Sequence, residues 1–397
     1  MDPSARKAFN HNFTDEKYQR FLERLNNISE KNIEFRVAET PVFLTDEFRD
    51  KLLEAGKDII QTILRPDFKE ITERAIPDKW RVANENDHPH LIALDFGVCK
   101  DADGNIVPKL IELQGFPSLF GFQVFIGEAY QKIFDIPDEW SIYFNNLANS
   151  SYTGLLKETI LGPYSPQEVV IMDVNAPEQK TAIDFYCTEE MIGTPVVSLS
   201  DLKQDGNRLY YLRDDERQYI KRIYNRLIFD EIDNDPDVFK NNVDIRQPLD
   251  VEWITHPNWF YRISKFTMPF LQGDYVPKTQ FLHQANPIPP DLENYVLKPL
   301  FSFAGQGVII DVKPEDILSI KDPENWILQE KVNYEPVVQA PDGGVKVEIR
   351  LLYLWPDSNK EPTLAINLAR LSKGKMIGVR YNKDFDWVGG TIAFMRG

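Results

Sequence analysis

The chain has 397 residues, 42% of them hydrophobic, and a formal net charge of −17 at pH 7. This length and hydrophobic fraction predict a folded protein of two or three domains, and the acidic balance argues against a nucleic-acid or anionic-membrane partner because phosphates repel such a surface. The two cysteines, Cys99 and Cys187, are too few for a disulfide framework or a zinc site, and no apolar run is long enough to span a bilayer.

The N-terminal part of the chain is predicted to be helical. Apolar residues recur at helical spacing between residues 13 and 75, and Thr45 precedes the second run as a helix-capping residue does. We assign no chemistry to this region, residues 1–80, and expect it to pack on the rest of the protein. The first residues are polar and lack the apolar stretch of a signal peptide, which predicts a cytoplasmic protein.

A β-hairpin is predicted at residues 91–115, with an Asp-Gly pair in its turn. Glu112 and Gln114 are two residues apart on the returning strand, so both side chains project from the same face. A carboxylate and an amide oxygen placed in this way can share a hard cation such as Mg²⁺, although a solvated strand face would show the same spacing. The segment after the hairpin carries Ser118, a candidate for a hydrogen bond to a substrate.

The middle of the chain is predicted to alternate between helices and strands. A helical stretch, residues 123–165, precedes a run of short apolar segments. These segments predict strands at 168–173, 195–199, 209–212 and 220–229, with a helix at 177–192. This order predicts a small α/β domain that contains a parallel sheet.

Residues 295–311 are predicted to form a strand, a glycine-containing loop and a second strand. Lys298 ends the first strand, and Gly305 and Gly307 lie in the loop. Glycine lets backbone N–H groups come close to an anion, and a lysine beside such a loop adds a charge that suits phosphate oxygens. The pattern is neither a P-loop nor a dinucleotide fingerprint, and an ordinary glycine-containing hairpin fits it as well as a phosphate site does.

Three more strands are predicted after this loop, at 326–332, 345–355 and 363–371. The first can present the backbone of residues 329–332 to the edge of an adenine ring. On the second, Glu348 and Arg350 share a face, where a mutual surface ion pair is the simplest interpretation. Near the end of the chain, Gly389 and Gly390 are interpreted either as a mobile flap over a site or as a turn.

The order of these elements resembles that of the circularly permuted ATP-grasp ligases, above all the eukaryotic-type glutathione synthetases and more loosely the glutathionylspermidine synthetases. The likeness covers roughly residues 90–397, and the shared order of motifs carries it rather than any one motif. The matching segments are strand 110–114 with Ser118, the strand end Tyr224-Asn225-Arg226, Ser264-Lys265, the strand and glycine loop at 295–307, residues 327–330, and Glu348, Arg370, Lys373 and Gly389-Gly390.

The resemblance implies an ATP-grasp fold of mixed α+β and α/β class, in which two α+β subdomains grip a nucleotide. The implied regions are the helical N-terminal region at 1–80, a permuted ATP-grasp segment with a metal-binding hairpin at 81–165, an inserted small α/β substrate domain with a parallel sheet at 166–232, and the nucleotide-binding core and lid at 233–397. The implied activity is ATP-dependent carbon–nitrogen ligation of a small amino-acid or peptide substrate through an acylphosphate, with ATP and Mg²⁺ as cofactors and a homodimer as the assembly.

The resemblance also implies roles for individual residues. The catalytic residues would be Lys298 and Arg370, and the metal ligands Glu112, Gln114 and Glu348. The substrate-binding residues would be Ser118, Asn225, Arg226 and Arg370. The ATP-binding residues would be Lys265, Lys298, Ser302, Gly305, Gln306, Gly307, Gln329, Glu330, Lys331, Val332, Glu348 and Lys373.

Three positions depart from the family pattern. Ser302 stands where the family has a metal-binding glutamate, Gln114 where it has an asparagine, and Ala93 where it has a substrate-binding arginine. The ATP-binding pattern is therefore better kept than the substrate pocket, and glutathione itself is not the expected substrate. Two alternatives remain open: an ATP-grasp phosphotransferase or kinase, and a nucleotide-binding protein that has lost catalysis.

Overall fold

The computed structural model describes the chain apart from residues 30–31, 228, 230–231, 233–236, 302–306, 375–376, 378–381 and 397. Nine α-helices lie in this described part. They are α1 (Pro3–Asn12), α2 (Asp15–Asn26), α3 (Asp46–Ile63), α4 (Phe68–Ile71), α5 (Phe122–Phe134), α6 (Asn149–Leu161), α7 (Ala182–Ile192), α8 (Pro257–Arg262) and α9 (Pro314–Ser319). In the same part of the chain, no helix is both long enough and apolar enough to span a membrane.

The described residues also form nineteen strands. They are β1 (Val42–Phe43), β2 (Leu91–Lys100), β3 (Ile106–Gln114), β4 (Trp140–Ser141), β5 (Val169–Asp173), β6 (Val196–Ser198), β7 (Lys203–Asp205), β8 (Arg208–Arg213), β9 (Glu216–Ile220), β10 (Arg222–Asn225), β11 (Glu252–Ile254), β12 (Thr279–Phe281), β13 (Tyr295–Pro299), β14 (Trp326–Glu330), β15 (Val338–Ala340), β16 (Gly343–Leu354), β17 (Thr363–Ser372), β18 (Gly389–Thr391) and β19 (Ala393–Arg396). The strands are distributed over several sheets, and the helices lie beside them, so the class is mixed α+β.

The largest sheet is antiparallel and has the order β18-β17-β16-β2-β3, with β15 beside the start of β16. In its register Asp95 lies opposite Arg350 on one side and Glu112 on the other, and Glu348 lies opposite Arg370. Side chains of directly opposed residues point to the same face of a sheet. The five charged side chains, which are separated along the sequence, are therefore collected on one face.

The opposite face of the large sheet is apolar and packs on α3. Ile349 and Leu351 of β16 belong to the same buried core as Leu52 and Ile59 of the helix. The helix approaches closely at Gly56, where an added Cβ would lie 2.2 Å from the hydroxyl oxygen of Tyr353 and 3.2 Å from a methyl carbon of Leu351. The alternation of apolar and charged residues in the middle of β16 thus determines which face of the sheet carries the charged side chains.

A second sheet, with the order β11-β10-β5-β6, is parallel throughout, and α7 connects β5 to β6. It is the parallel sheet that the sequence predicts. The single strand predicted at 220–229 is wrong, because β9 and β10 belong to different sheets and β9 pairs with β8 in an antiparallel sheet with β7. The chain changes sheets at Lys221, whose backbone N–H donates to the carbonyl of Glu168 at 2.8 Å and whose carbonyl accepts from Glu252 at 2.9 Å.

A third sheet, with the antiparallel order β12-β14-β13, carries the lysine of the predicted phosphate loop. In its register Lys298 lies opposite Ile327, so Lys298 and Gln329 point to the same face, while Leu297 and Leu328 point into a small separate core. The returning strand predicted at 308–310 is reduced to a single bridge between Leu297 and Ile309. The predicted phosphate-loop residues Ser302, Gly305 and Gln306 lie outside the described residues.

The interpretation of Gly389 and Gly390 as a flap or turn is wrong, because both belong to strand β18. On one side they pair with Leu371 and Arg370 of β17. On the other side Gly390 accepts from the backbone N–H of Ala38 and donates to the carbonyl of Arg36, both at 2.9 Å. Gly389 has φ +128°, and an added Cβ would lie 2.5 Å from the Arg36 carbonyl oxygen, so this position requires glycine.

Candidate functional site

Two carboxylates and two guanidinium groups interlock on the polar face of the large sheet. Arg350 donates from Nε and Nη2 to the two oxygens of Asp95, at 2.5 and 2.6 Å. Arg370 donates from Nη2 to Asp95 at 2.5 Å and also to Glu348. Asp95, Glu348 and Arg350 are buried, whereas the Arg370 side chain is 34% exposed. The network is therefore a buried one with a single arginine that still reaches the surface.

The network controls the charge of its members. Burial opposes ionisation of Asp95, yet Arg350 and Arg370 hold its pKa below the usual value. Burial raises the pKa of Glu348 in spite of the opposing effect of Arg370. Burial also disfavours the charged form of Arg370, but Glu348 and Asp95 raise its pKa above the ordinary value. Arg370 is therefore a permanent cation.

Tyr334 completes the network from the loop that precedes β15. Its hydroxyl donates to Oε2 of Glu348 at 2.9 Å, so both oxygens of this carboxylate accept hydrogen bonds. The tyrosine ring lies directly over β2 at Gly97, where an added Cβ would be 2.7 Å from ring carbon Cε1. Glycine at this strand position therefore allows the close approach that positions the hydroxyl.

Lys298 faces this network from the third sheet. Its Nζ donates to the carbonyl of Ile111 at 3.2 Å, which joins β13 to β3. Burial lowers the pKa of Lys298 to about 8, Glu112 and Glu348 act to raise it, and Lys265 lowers it further. Lys265 is buried at the start of a short 3₁₀-helix, Lys265–Phe270. The structure thus brings Lys265, Lys298, Glu112 and Glu348, which are distant in sequence, into one region between two sheets.

The predicted metal ligands are close together but engage other groups. Gln114 donates from Nε2 to Oε1 of Glu112 at 2.8 Å, which confirms that the two side chains share a face. Both oxygens of Glu348 are engaged by Arg370 and Tyr334. Within the described ranges, no group of three or more His, Cys, Asp or Glu side chains is arranged to hold a metal ion. These residues do not fit a Mg²⁺ ion in this arrangement, and Mg²⁺ stays a prediction.

Phosphate groups fit the site better than a metal ion does. Nε of Arg370 is buried and has no hydrogen-bond partner among the described residues. No carboxylate in the described part of the chain lies within ion-pair distance of Lys298. A buried N–H without a partner is costly, and an anion with several acceptor oxygens would satisfy it. These donors suit the phosphates of ATP.

The residues predicted to contact adenine lie at the end of β14. The Gln329 side chain is buried and donates to the hydroxyl of Thr279 at 3.1 Å. Lys331 donates to two loop carbonyls, from its backbone N–H at 2.7 Å and from Nζ at 2.6 Å, while the Glu330 side chain accepts from a backbone N–H at 3.2 Å. Val332 is half-buried. These side chains connect the end of β14 to neighbouring segments of the chain. Their contact with a base stays a prediction.

Two further ATP-site predictions lie away from the network. Lys373 donates from Nζ to Asp342 at 2.5 Å and to the carbonyl of Asp386 at 2.8 Å, and no contact among the described residues joins it to Arg370. Gly307 has φ +71°, a conformation that favours glycine, and an added Cβ would lie 3.1 Å from a ring carbon of Pro299. Gly307 therefore closes the loop back onto the strand that carries the predicted phosphate-binding lysine.

The predicted substrate residues meet at the carboxyl end of β10. Arg226 donates from Nη1 to the carbonyl of Pro117 at 2.6 Å, and its Cζ lies 4.7 Å from the ring centre of Phe116. This contact brings the strand end to the segment that contains half-buried Ser118. Nδ2 of Asn225 and Nε of Arg226 are buried without a partner among the described residues. The carboxyl ends of parallel strands are common ligand sites, so the location suits the prediction.

Sequence reasoning missed three members of the network: Asp95, Arg350 and Tyr334. The proposed surface pair between Glu348 and Arg350 is wrong, because both are buried and Arg350 instead forms its bidentate contact with Asp95. A signal was available for Asp95, which lies opposite Glu112 in the predicted hairpin. No local sequence signal indicates Tyr334, because its position depends on how the loop crosses β2.

A cavity of about 440 Å³ lies elsewhere on the protein. Phe68, Lys69, His88, Trp259 and Trp355 are among the residues that line it, and none of the predicted site residues do.

Comparison with known proteins supports the fold. No family model and no curated protein matches the sequence. Among solved structures, a glutathione synthetase-like effector from Globodera pallida in its apo form matches with a TM-score of 0.59, over 97% of this chain and 98% of that chain, at 11% identity. The chain therefore has a glutathione synthetase-like fold of mixed α+β class.

Proposed function

We propose that the protein is an ATP-dependent carbon–nitrogen ligase that joins a small carboxylate substrate, an amino acid or short peptide, to an amine. The observation that carries this proposal is the convergence of Lys265, Lys298 and Arg370 in one region of a chain whose net charge is −17. An acidic protein that binds a polyanion has to concentrate its basic side chains locally. The glutathione synthetase-like fold is consistent with this chemistry, since the fold is named for such ligases.

The proposed reaction has two steps. A substrate carboxylate attacks the γ-phosphorus of ATP and releases ADP, and an amine then attacks the acyl carbon and releases phosphate and a proton. Such chemistry needs positioning and electrostatic stabilisation more than covalent participation by the protein. Lys265 and Lys298 would hold the phosphates, and Arg370 would stabilise the charge on the acylphosphate. Mg²⁺ would supply further positive charge to the phosphates when bound.

The amine substrate is proposed to bind beside Ser118, Asn225 and Arg226. The unpartnered N–H groups of Asn225 and Arg226 can donate to carbonyl or carboxylate oxygens. Adenine is proposed to contact the backbone of residues 329–332. A homodimeric assembly belongs to the same proposal, because the resemblance implies it, and a cytoplasmic location stays a prediction.

A nucleotide-binding protein without turnover is the second candidate. The observation that favours it is the engagement of Arg370 by both Asp95 and Glu348, since an arginine held in this way has to change partners before it can stabilise a transferring phosphoryl group. Ser302 in place of an acidic metal ligand favours the same interpretation. Binding and turnover therefore have to be measured separately.

The test is a screen of pooled amino acids and short peptides with ATP and the purified protein. We expect phosphate release that requires both an acid and an amine, with an amide product detected by mass spectrometry. The Lys298→Met variant should lose this activity, whereas Lys278→Met, which alters a lysine side chain that is 88% exposed, should keep it. A phosphorylated product would indicate a kinase, ATP binding without turnover would support the second candidate, and no ATP binding would reject both.

A further inference from the structure

We propose that the site binds a nucleoside triphosphate without requiring a divalent cation, because Arg350 supplies a fixed positive charge to the carboxylates that would otherwise need one. This inference rests on the proposed nucleotide binding and concerns the binding step alone. Arg350 is the positioning residue in this account: it does not contact the nucleotide but holds Asp95, which in turn holds Arg370.

The first argument is that the carboxylate oxygens are already engaged. Asp95 accepts three hydrogen bonds of 2.5, 2.6 and 2.5 Å from Arg350 and Arg370. Glu348 accepts from Arg370 and Tyr334 on its separate oxygens. Mg²⁺ requires a nearly ideal octahedron of oxygen ligands at short distance. A metal ion would have to displace Arg350, Arg370 or Tyr334 before Asp95 or Glu348 could bind it.

The second argument is the position of Arg350 itself. It lies directly opposite Asp95 in the register of β16 and β2, so its planar guanidinium meets the carboxylate with two parallel N–H groups. The side chain is buried, with 7% of its surface exposed, and an arginine cannot lose its proton in a protein. The positive charge beside Asp95 is therefore permanent and cannot be removed by a chelator.

The third argument is the balance of charge. Among the described residues, the acidic side chains of the region are Asp95, Glu112 and Glu348, and the basic ones are Arg350, Arg370, Lys265 and Lys298. Four basic and three acidic groups leave an excess of one positive charge. Without Arg350 the same region would be neutral, with Asp95 competing with the nucleotide for Arg370. Arg350 thus leaves Arg370, with its unpartnered Nε, able to donate to a phosphate oxygen.

The experiment is calorimetric titration of the full-length protein with a non-hydrolysable ATP analogue, AMP-PNP, in EDTA and in excess Mg²⁺. We expect the two dissociation constants to agree within about threefold. Binding that is at least tenfold weaker in EDTA would overturn the inference and leave the proposed nucleotide site intact. Absence of binding in both buffers would reject the nucleotide site itself, so the two failures are distinguishable.

The Arg350→Gln variant tests the assigned cause. We expect its affinity for AMP-PNP in EDTA to fall at least tenfold and to return within about threefold of wild type in Mg²⁺, because the ion can then take the place of the guanidinium beside Asp95. Equal loss in both buffers would mean that Arg350 is merely structural, and unchanged affinity in EDTA would also overturn its role. Arg246→Gln, which alters a partly exposed ion pair with Asp244, is the matched control. Should Arg350→Gln fail to fold, the comparison of buffers on the wild-type protein still decides the proposal.

Discussion

Two arginines on different sheets, Arg222 and Arg370, each bridge two carboxylates but differ in how completely they are satisfied. Arg222 donates from Nε to Glu252 at 2.8 Å, from Nη2 to Asp357 at 2.5 Å and from Nη1 to the carbonyl of Thr159 at 3.3 Å. Arg370 engages both of its carboxylates through Nη2 and leaves a buried Nε without a partner among the described residues. The exposed fractions are 2% for the Arg222 side chain and 34% for that of Arg370.

The difference separates a structural arginine from a candidate binding one. Arg222 ties β10 of the parallel sheet to Asp357, which lies between β16 and β17 of the large sheet. It packs so tightly on Gly162 that an added Cβ there would lie 2.4 Å from its Nη1. Every nitrogen of Arg222 has an acceptor, in contrast to Nε of Arg370. A buried arginine between carboxylates is therefore not in itself a sign of a site, whereas an unpartnered N–H on such an arginine is.

Replacing Arg222 should give the largest effect on stability. Arg222→Met leaves Glu252 and Asp357 without their common partner, and breaking a buried ion pair costs about 3–5 kcal/mol. Because both carboxylates are about half exposed, we expect the lower end of this range, about 3 kcal/mol in the free energy of unfolding measured with urea. AMP-PNP affinity should not change. A larger loss in the free energy of unfolding for Arg370→Met than for Arg222→Met would contradict the assignment of Arg222 as the structural arginine of the two.

Replacing Lys298 should give the largest effect on binding. Hydrogen bonds to charged groups contribute about 1.5–3 kcal/mol, so Lys298→Met should weaken AMP-PNP binding by about thirtyfold in calorimetry. The variant should not be less stable than the wild type, because it removes a charge that burial disfavours. Lys278→Met is the control and should bind normally. Equal affinity of the two variants would argue against a phosphate role for Lys298.

The pH dependence of binding should follow Lys298. Its pKa is lowered to about 8 by burial, so AMP-PNP affinity should fall as pH rises above about 8, and this dependence should vanish in Lys298→Met. Stability should change in the opposite sense. Between about 8 and the ordinary lysine value near 10.4, the unfolded chain binds more protons than the folded one, so the Lys298 contribution to stability rises with pH. Affinity that is flat from pH 7 to 9.5 would contradict this assignment.

Tyr334→Phe should have the smallest effect. The change removes the 2.9 Å hydrogen bond to Glu348 but leaves the pairing of that carboxylate with Arg370. We expect a loss of about 1 kcal/mol in the free energy of unfolding, which urea titration can resolve. If Tyr334→Phe lowered the free energy of unfolding as much as Arg222→Met does, the hydrogen bond from Tyr334 would contribute as much to stability as the Arg222 ion pairs, which would contradict this ranking.

The sequence predicts much of the fold because its periodicity is local. The alternation of β16, the hairpin of β2 and β3 and the helical spacing of α3 are all visible in short windows. The strand change at Lys221 is not, because the parallel sheet that begins after it is made of segments distant in sequence, β5, β6 and β11.

The candidate site was predictable in part. Glu112, Lys298, Glu348 and Arg370 follow from motif order, and the structure brings them together. The ion-pair partners do not follow, because Arg350 pairs with Asp95 rather than with Glu348. That pairing is set by the register of β2 and β16, which are neighbours in the sheet but distant in sequence. Motif order also predicted a residue that does not join the network. Lys373 was predicted to bind ATP, but its side chain donates to Asp342 and not to a member of the network.

The most direct test of the account is a crystal structure of the protein with AMP-PNP. We predict density for the triphosphate between the third sheet and the polar face of the large sheet, with phosphate oxygens in hydrogen-bond contact with Nζ of Lys298 and with the guanidinium of Arg370. A nucleotide bound elsewhere on the protein, with the Asp95–Arg350–Arg370–Glu348 ion pairs unchanged, would contradict it.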